Sequence, residues 1–233
     1  MIVGIHQPNY IPWIGYFYKI CKSDIFIFLD DVQFEKNGYA DRNSIKTPQG
    51  ECYLKVPVKT NGLHTTYQEV ILNDSLKWRD KHLKTIEMNY KKAKYYEEIM
   101  EFLRDRYISN AVTLSNFNIE FISEVVKKLD FNTILVRSSD LNIQGVSTER
   151  LKNLILKVKG NCYLSGKGGE KYQEETVFQK NGIELIYTDF KHPYYSQLWG
   201  EFCPNLSIVD LLFNYGFCGA RDIICRSGVE INE

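Results

Sequence analysis

The first thirty residues constrain the fold most. Ile2 to Ile5 is a short apolar run that breaks at His6-Gln7-Pro8, and Ile25 to Leu29 is a second that breaks at Asp30-Asp31. Between them Trp13, Ile14, Phe17 and Ile20 recur at helical spacing. Strand, helix and strand in so short a span form a βαβ unit, whose crossover makes the two strands parallel. The same rhythm returns late in the chain. Thr133 to Val136 breaks at Arg137-Ser138-Ser139-Asp140, Cys162 to Leu164 ends at Ser165-Gly166-Lys167-Gly168-Gly169, and Glu184 to Tyr187 ends at Thr188-Asp189. Ser147-Thr148-Glu149-Arg150 opens a helix with half a capping box, and a further helix near Glu170 to Lys180 stops at Asn181-Gly182. Ser207, with Asp210 three residues on, caps a helix running to Phe217.

The middle of the chain reads differently. Gln33 to Gly50 is polar and turn-rich, a loop. Tyr53 to Val58 and Glu69 to Leu72 read as strands, the first demoted to an edge by Pro57. Helix formers fill 76–91 and 94–107, and Leu114, Phe117, Phe121, Ile122, Val125 and Leu129 share one helical face. The expected fold is α/β: a parallel, Rossmann-like sheet flanked by helices. Its core domain comprises 1–75 and 130–233, with a helical insert at 76–129.

Composition narrows the function. Lys+Arg and Asp+Glu both number 29, a balance that argues against a nucleic-acid partner. No basic leader precedes an apolar stretch, and no run of ~18 apolar residues is long enough to insert in a membrane. Six cysteines without Cys-x-x-Cys spacing suit reduced thiols in the cytoplasm. Sixteen Tyr and three Trp suit a cleft for polar, ring-shaped ligands as well as a large core.

Parallel strands place every strand-end cluster on one sheet edge, where α/β proteins bind ligands. His6 titrates near neutrality and is the first candidate for proton transfer, with His192 second and Asp30 as a further catalytic group. Gln7, Asn9, Tyr10 and Trp13 supply donors and a flat apolar face from a proline-fixed turn. Asp31, beside Asp30 on a strand end, points the opposite way, so the pair alone makes no metal site, and none is expected. Arg42, Asn43 and Lys46 offer a fork for phosphate. Ser165, Gly166, Lys167 and Gly169 offer backbone N–H groups to an anion, without the spacing of a Walker sequence. Ser138, Tyr172, Tyr195 and Gln197 complete the binding set. His64 and His82 read as surface groups, and the cysteines as core fillers.

These segments resemble the WbqC-like family of bacterial surface-polysaccharide gene clusters. The likeness runs through HQPNYIPWIGYFYKI, FLDDVQFEKNGYADRNSIK, YLSGKGGEKY, and then HPYYSQ with FCPNLSIVDLLFNYG. Asp41 stands where the family pattern has an amide, and Ser196 where Pro is common. The resemblance implies work on nucleotide-linked sugars in O-antigen and related pathways, including transfer of glycine or another acyl group to an amino sugar. A looser likeness of fold links the first thirty residues to nucleotidylyltransferases and pantothenate-synthetase-like ligases, although Trp13-Ile14-Gly15-Tyr16 replaces their His-x-Gly-His turn. Three readings follow. The first is an acyl or aminoacyl transferase acting on a nucleotide-linked amino sugar. The second is an ATP-dependent amide ligase, and only this one calls for ATP and Mg²⁺. The third is a non-catalytic sugar-binding or scaffold protein. Homo-oligomerisation is compatible with all three.

Overall fold

The computed structural model describes residues 1–62, 64–171 and 173–228. Five parallel strands form the central sheet: β1 (Ile2–His6), β2 (Ile25–Phe28), β7 (Ile134–Arg137), β8 (Cys162–Ser165) and β9 (Glu184–Tyr187). Their spatial order is β7-β2-β1-β8-β9, so the chain builds outward from β1 in one direction and then in the other. The fold is α/β with the strand order of a Rossmann-like sheet. β2 is buried at all four positions, as expected for a strand covered on both faces.

Alternate side chains of β1 and β2 feed two cores. Val3, Ile5, Ile25 and Ile27 pack with Leu154, Ile155 and Phe178 of α6 (Ser147–Lys157) and α7 (Glu175–Lys180). Phe26 and Phe28 join the larger core on the opposite face. That core unites α1 (Ile14–Cys21) with α2 (Trp78–Tyr90), α3 (Tyr96–Tyr107), α4 (Leu114–Lys128) and α8 (Ile208–Arg226). α8 kinks at Gly216, where φ is 65°. A four-residue α5 (Ser138–Leu141) follows β7 directly.

The polar stretch expected to be a loop contains β3 (Arg42–Thr47), paired with β4 (Gly50–Lys55) as an antiparallel hairpin. Its apolar signal is weak because, of its five buried positions, only Ile45 is apolar, and Asn43, Ser44 and Lys46 each have a polar partner. Val58–Lys59 (β5) and Ile71–Leu72 (β6) form a second short pair. The helix expected from Glu170 begins later, at Glu175, behind a 3₁₀ turn over Lys167–Lys171. Ser207 caps α8 by accepting from Val209 N–H, whereas Asp210 turns inward and plays no part in the cap. No helix among the described residues is long and apolar enough to cross a membrane. All six cysteines are free thiols, with Cys21 and Cys225 in contact at 2.8 Å where α1 and α8 end.

Candidate functional site

β1 and β8 lie side by side where the strand order reverses, and the chain leaves them toward opposite faces of the sheet. A crevice must open beyond such a switch point. Here it is a cleft of about 860 Å³. Ile5, Leu29, Val32, Leu151 and Tyr163 give it apolar walls, and Trp13 and Phe190 meet edge to face at its mouth, 5.1 Å between ring centres. Trp13 lies directly over Gly15, where a Cβ would come within 2.4 Å of the indole, so Gly15 permits this placement of the ring.

The turn from His6 to Trp13 is held from several sides. Asn43 Nδ2 donates to the Ile11 carbonyl (2.8 Å), Asn118 Nδ2 to that of Pro8 (2.9 Å), Ile208 N–H to that of Pro12 (2.8 Å) and the Tyr16 hydroxyl to that of Gln7 (3.0 Å). Ile11 is thereby kept at φ 34°, a region that β-branched residues avoid. The turn aims His6 and Gln7 into the cleft. His6 Nδ1–H donates to the Gln7 carbonyl (3.1 Å), which leaves the Nε2 lone pair free to accept. Burial, reinforced by the charge of Lys19, lowers the His6 pKa to about 4, so the ring is neutral at pH 7.

The far wall carries the charge. α6 begins at the cleft with Ser147 and Thr148, and no side chain caps its first turn. Its N–H groups and dipole therefore face the cleft, as they do in anion sites. Arg150 joins them, bonded through Nη2 to Asp31, while its Nε is buried without a partner among the described residues. Opposite, Ser165 Oγ accepts from Gln173 Nε2 (2.9 Å), whose own Oε1 is also buried and unpartnered. Gly169 allows this contact, since a Cβ there would sit 2.6 Å from both groups. A buried donor and a buried acceptor left unsatisfied in one cleft mark a place for a polar ligand.

The residues singled out from sequence separate into groups. His6, Gln7, Trp13, Ser165, Gly166, Lys167 and Gly169 line the cleft. Asp31 and Ser138 sit behind it, both tied to the Asp30–Arg150 region. Asp30 is fully buried and accepts from Ser138 Oγ, Ser139 N–H and Ser139 Oγ at 2.9–3.1 Å, so its carboxylate clasps β2 to α5 rather than facing the cleft. Asn9 is buried outside the cleft lining. Tyr10 bonds His82 (2.7 Å) and Tyr107 in the core. His82 is therefore no surface group; burial lowers its pKa to about 4, and its solvent exposure is 7%. His64 is exposed. Tyr172 lies outside the described residues.

A second polar cluster forms on the helical side. Lys46 Nζ donates to Gln197 Oε1 (3.0 Å) and to the Glu201 carbonyl, and Gln197 also bonds both backbone groups of Cys203. Tyr90 and Tyr195 donate to the two oxygens of Asp210 (2.8 and 2.9 Å). His192 donates from Nδ1 to the Pro193 carbonyl (2.9 Å) and accepts at Nε2 from Asn205 N–H (3.0 Å), so neither nitrogen is free. Arg42 points outward and stacks on Tyr53.

Residues 7–221 match the model of the WbqC-like protein family. The chain belongs to that family. The uncharacterized protein Rv1507c of Mycobacterium tuberculosis is a similar protein, 38% identical over 217 residues that cover 92% of this chain and 94% of the relative. The WbqC-like match takes in the turn after β1, the start of α6 and the glycine-rich loop, hence nearly all of the cleft wall. Sequence reasoning missed Lys19, Thr148, Arg150 and Gln173 in this WbqC-like cleft. The one signal for Arg150 was a basic residue three positions after Ser147, where a capping box opened by that serine would carry an acid.

Proposed function

We propose that this protein is an enzyme of surface-polysaccharide precursor synthesis that transfers an acyl or aminoacyl group, such as glycyl, to the amine of a nucleotide-linked sugar. The observation that carries the reading is the pairing, in one cleft, of an uncapped helix N-terminus and an unsatisfied Arg150 Nε with a neutral imidazole. A diphosphate fits the first α6 turn, Arg150 and Lys167. Trp13 and Phe190 suit a base or a pyranose face, and Gln173 with Ser165 suits the polar edge of that ring. His6 Nε2 accepts a hydrogen from the substrate amine and orients its lone pair toward the acyl carbon. Membership of the WbqC-like family supports this substrate class, and the reading goes with a cytoplasmic location.

Thermal-shift measurements with a panel of nucleotide-linked sugars and with ATP–Mg²⁺ test the reading, because a ligand of the folded state raises its apparent stability by mass action. Stabilisation by a nucleotide-linked amino sugar without ATP is the expected result. Stabilisation by ATP–Mg²⁺ alone replaces the transferase with a ligase, and stabilisation by free sugars alone replaces it with a binding protein.

A further inference from the structure

Every residue of α1 from Ile14 to Ile20 is buried, and one of them is Lys19, at 5% exposure. An ammonium group in such a place is costly unless an acid answers it. Among the described residues none does: Lys19 forms no salt bridge, and its Nζ donates to the Ile5 carbonyl at 2.7 Å. The side chain lines the cleft, along with the His6 imidazole that follows Ile5. Simple docking of α1 on β1 would need only a neutral donor, so a structural role leaves the choice of an amine unexplained.

The titratable groups on the surrounding elements are His6 on β1, Tyr163 on β8, Arg150 with Asp31 across the cleft, and Lys167 beyond β8. α8 brings Arg221 and Cys225 to the end of α1, Asp24 follows α1, and Asp189 lies beyond β9 near Tyr18. α1 itself contributes Tyr16, Tyr18 and Cys21, with Lys22 just beyond. Burial lowers the Lys19 pKa from 10.5 to about 7, so a sizeable share of the amine is uncharged at neutral pH.

We propose that Lys19 is the base of this site, and that its uncharged amine takes the proton released as the substrate amine is acylated. The inference rests on the acyl-transfer reading and names the group that reading lacks, since an imidazole that resists protonation orients better than it accepts protons. The substrate nitrogen attacks the carbonyl carbon of an activated donor such as an acyl thioester. The C–N bond forms, the carbonyl π pair moves to oxygen, and the N–H proton passes to Nζ. Collapse of the tetrahedral species breaks the carbon–sulfur bond, and Lys19 returns the proton to the departing thiolate. Amide and thiol are the products, and no electrons are gained or lost.

Competitive labelling with trace acetic anhydride, read peptide by peptide in the intact protein, measures the Lys19 titration directly. The expected profile inflects near pH 7, about three units below the exposed lysines, and a UDP-linked amino sugar protects the residue. Inflection together with the exposed lysines, or no labelling at any pH, overturns the proposal. With an acetyl thioester donor and a UDP-linked amino sugar, Lys19→Met should lower kcat ~10²–10⁴-fold with little change in KM. The wild-type rate should rise with pH through about 7. Wild-type turnover in Lys19→Met removes Lys19 as the base while sparing the transferase reading. Failure of every nucleotide-linked sugar to bind the wild type removes the reading itself and, with it, the role given to Lys19.

Discussion

Two polar clusters in this protein are built from similar residues and differ in how completely they are satisfied. The cluster around Lys46, Gln197, Asp210 and His192 is closed: Asp210 receives two tyrosine hydroxyls, Gln197 ties down Cys203, and both His192 nitrogens are engaged. The cluster in the β1–β8 cleft is open. Among the described residues, Arg150 Nε and Gln173 Oε1 are buried without partners, α6 starts uncapped, and Lys19 has no acid beside it. Buried polar groups favour folding only when paired. The closed cluster can therefore be read as architecture, whereas the open one is a debt to stability that a ligand settles. Histidine, arginine and glycine-rich motifs alone do not reveal which of the two a cluster is.

Breaking the closed cluster should cost the most. Asp210→Ala strands two buried hydroxyls at about 1–3 kcal/mol each, and urea unfolding should show a loss of about 2–6 kcal/mol. A loss below about 1 kcal/mol would reclassify Asp210.

The open cluster should respond in the opposite sense. Lys19→Met removes a buried charge and should raise stability at pH 6 by at most about 5 kcal/mol, at about 1.4 kcal/mol per unit of the 10.5-to-7 shift. Between pH 4 and 6.5 the unfolded chain binds a proton at His6 that the folded chain refuses, so wild-type stability rises with pH across that window. Lys19 continues the rise from about pH 7 to 10.5. Denaturant midpoints against pH should therefore show a shallower lower segment in His6→Ala, where buried His82 still contributes, and lose the upper one in Lys19→Met. Asp210, its pKa raised chiefly by burial, contributes the opposite slope, favouring the fold at acid pH and losing that contribution as the carboxyl ionises.

Ligand affinity sharpens the contrast further. Arg150→Ala should weaken a nucleotide diphosphate ~10–100-fold by calorimetry, the worth of a charge-assisted hydrogen bond. Gln173→Leu should weaken a nucleotide-linked sugar ~3–10-fold while leaving the bare diphosphate unaffected. Arg42→Ala should alter affinity and stability least, by under about 0.5 kcal/mol, because the side chain is exposed and stacks on Tyr53 outside the cleft.

The sheet was legible because β1, β2, β7, β8 and β9 are short apolar runs with polar ends, a pattern set by burial on both faces. β3 was not, because Asn43, Ser44 and Lys46 are buried through long-range partners at Ile11, Glu51, Gln197 and Glu201 that local periodicity does not encode. The same blindness split the candidate site. His6 and the Ser165–Gly169 loop were found because turn chemistry marks the ends of strands. Arg42, Asn43, Tyr195 and Gln197 carry similar chemistry but fold into or beside the closed cluster. His82 read as exposed because its polar partner Tyr10 lies 72 residues away. Lys19 was hidden because the apolar spacing of α1 marks one face, and its burial comes from a long-range partner, the Ile5 carbonyl of β1, that this spacing does not encode. Asp41 is buried, its Oδ1 has no partner among the described residues, and burial raises its pKa.

Hydrogen exchange read by mass spectrometry, with and without saturating UDP-linked amino sugar, tests the division between open and closed clusters most directly. The account predicts slowed exchange confined to peptides spanning 5–19, 146–151 and 163–173, with 42–47 and 192–203 unchanged. Protection of the Lys46–Gln197 cluster with the β1–β8 cleft left unaffected would contradict it.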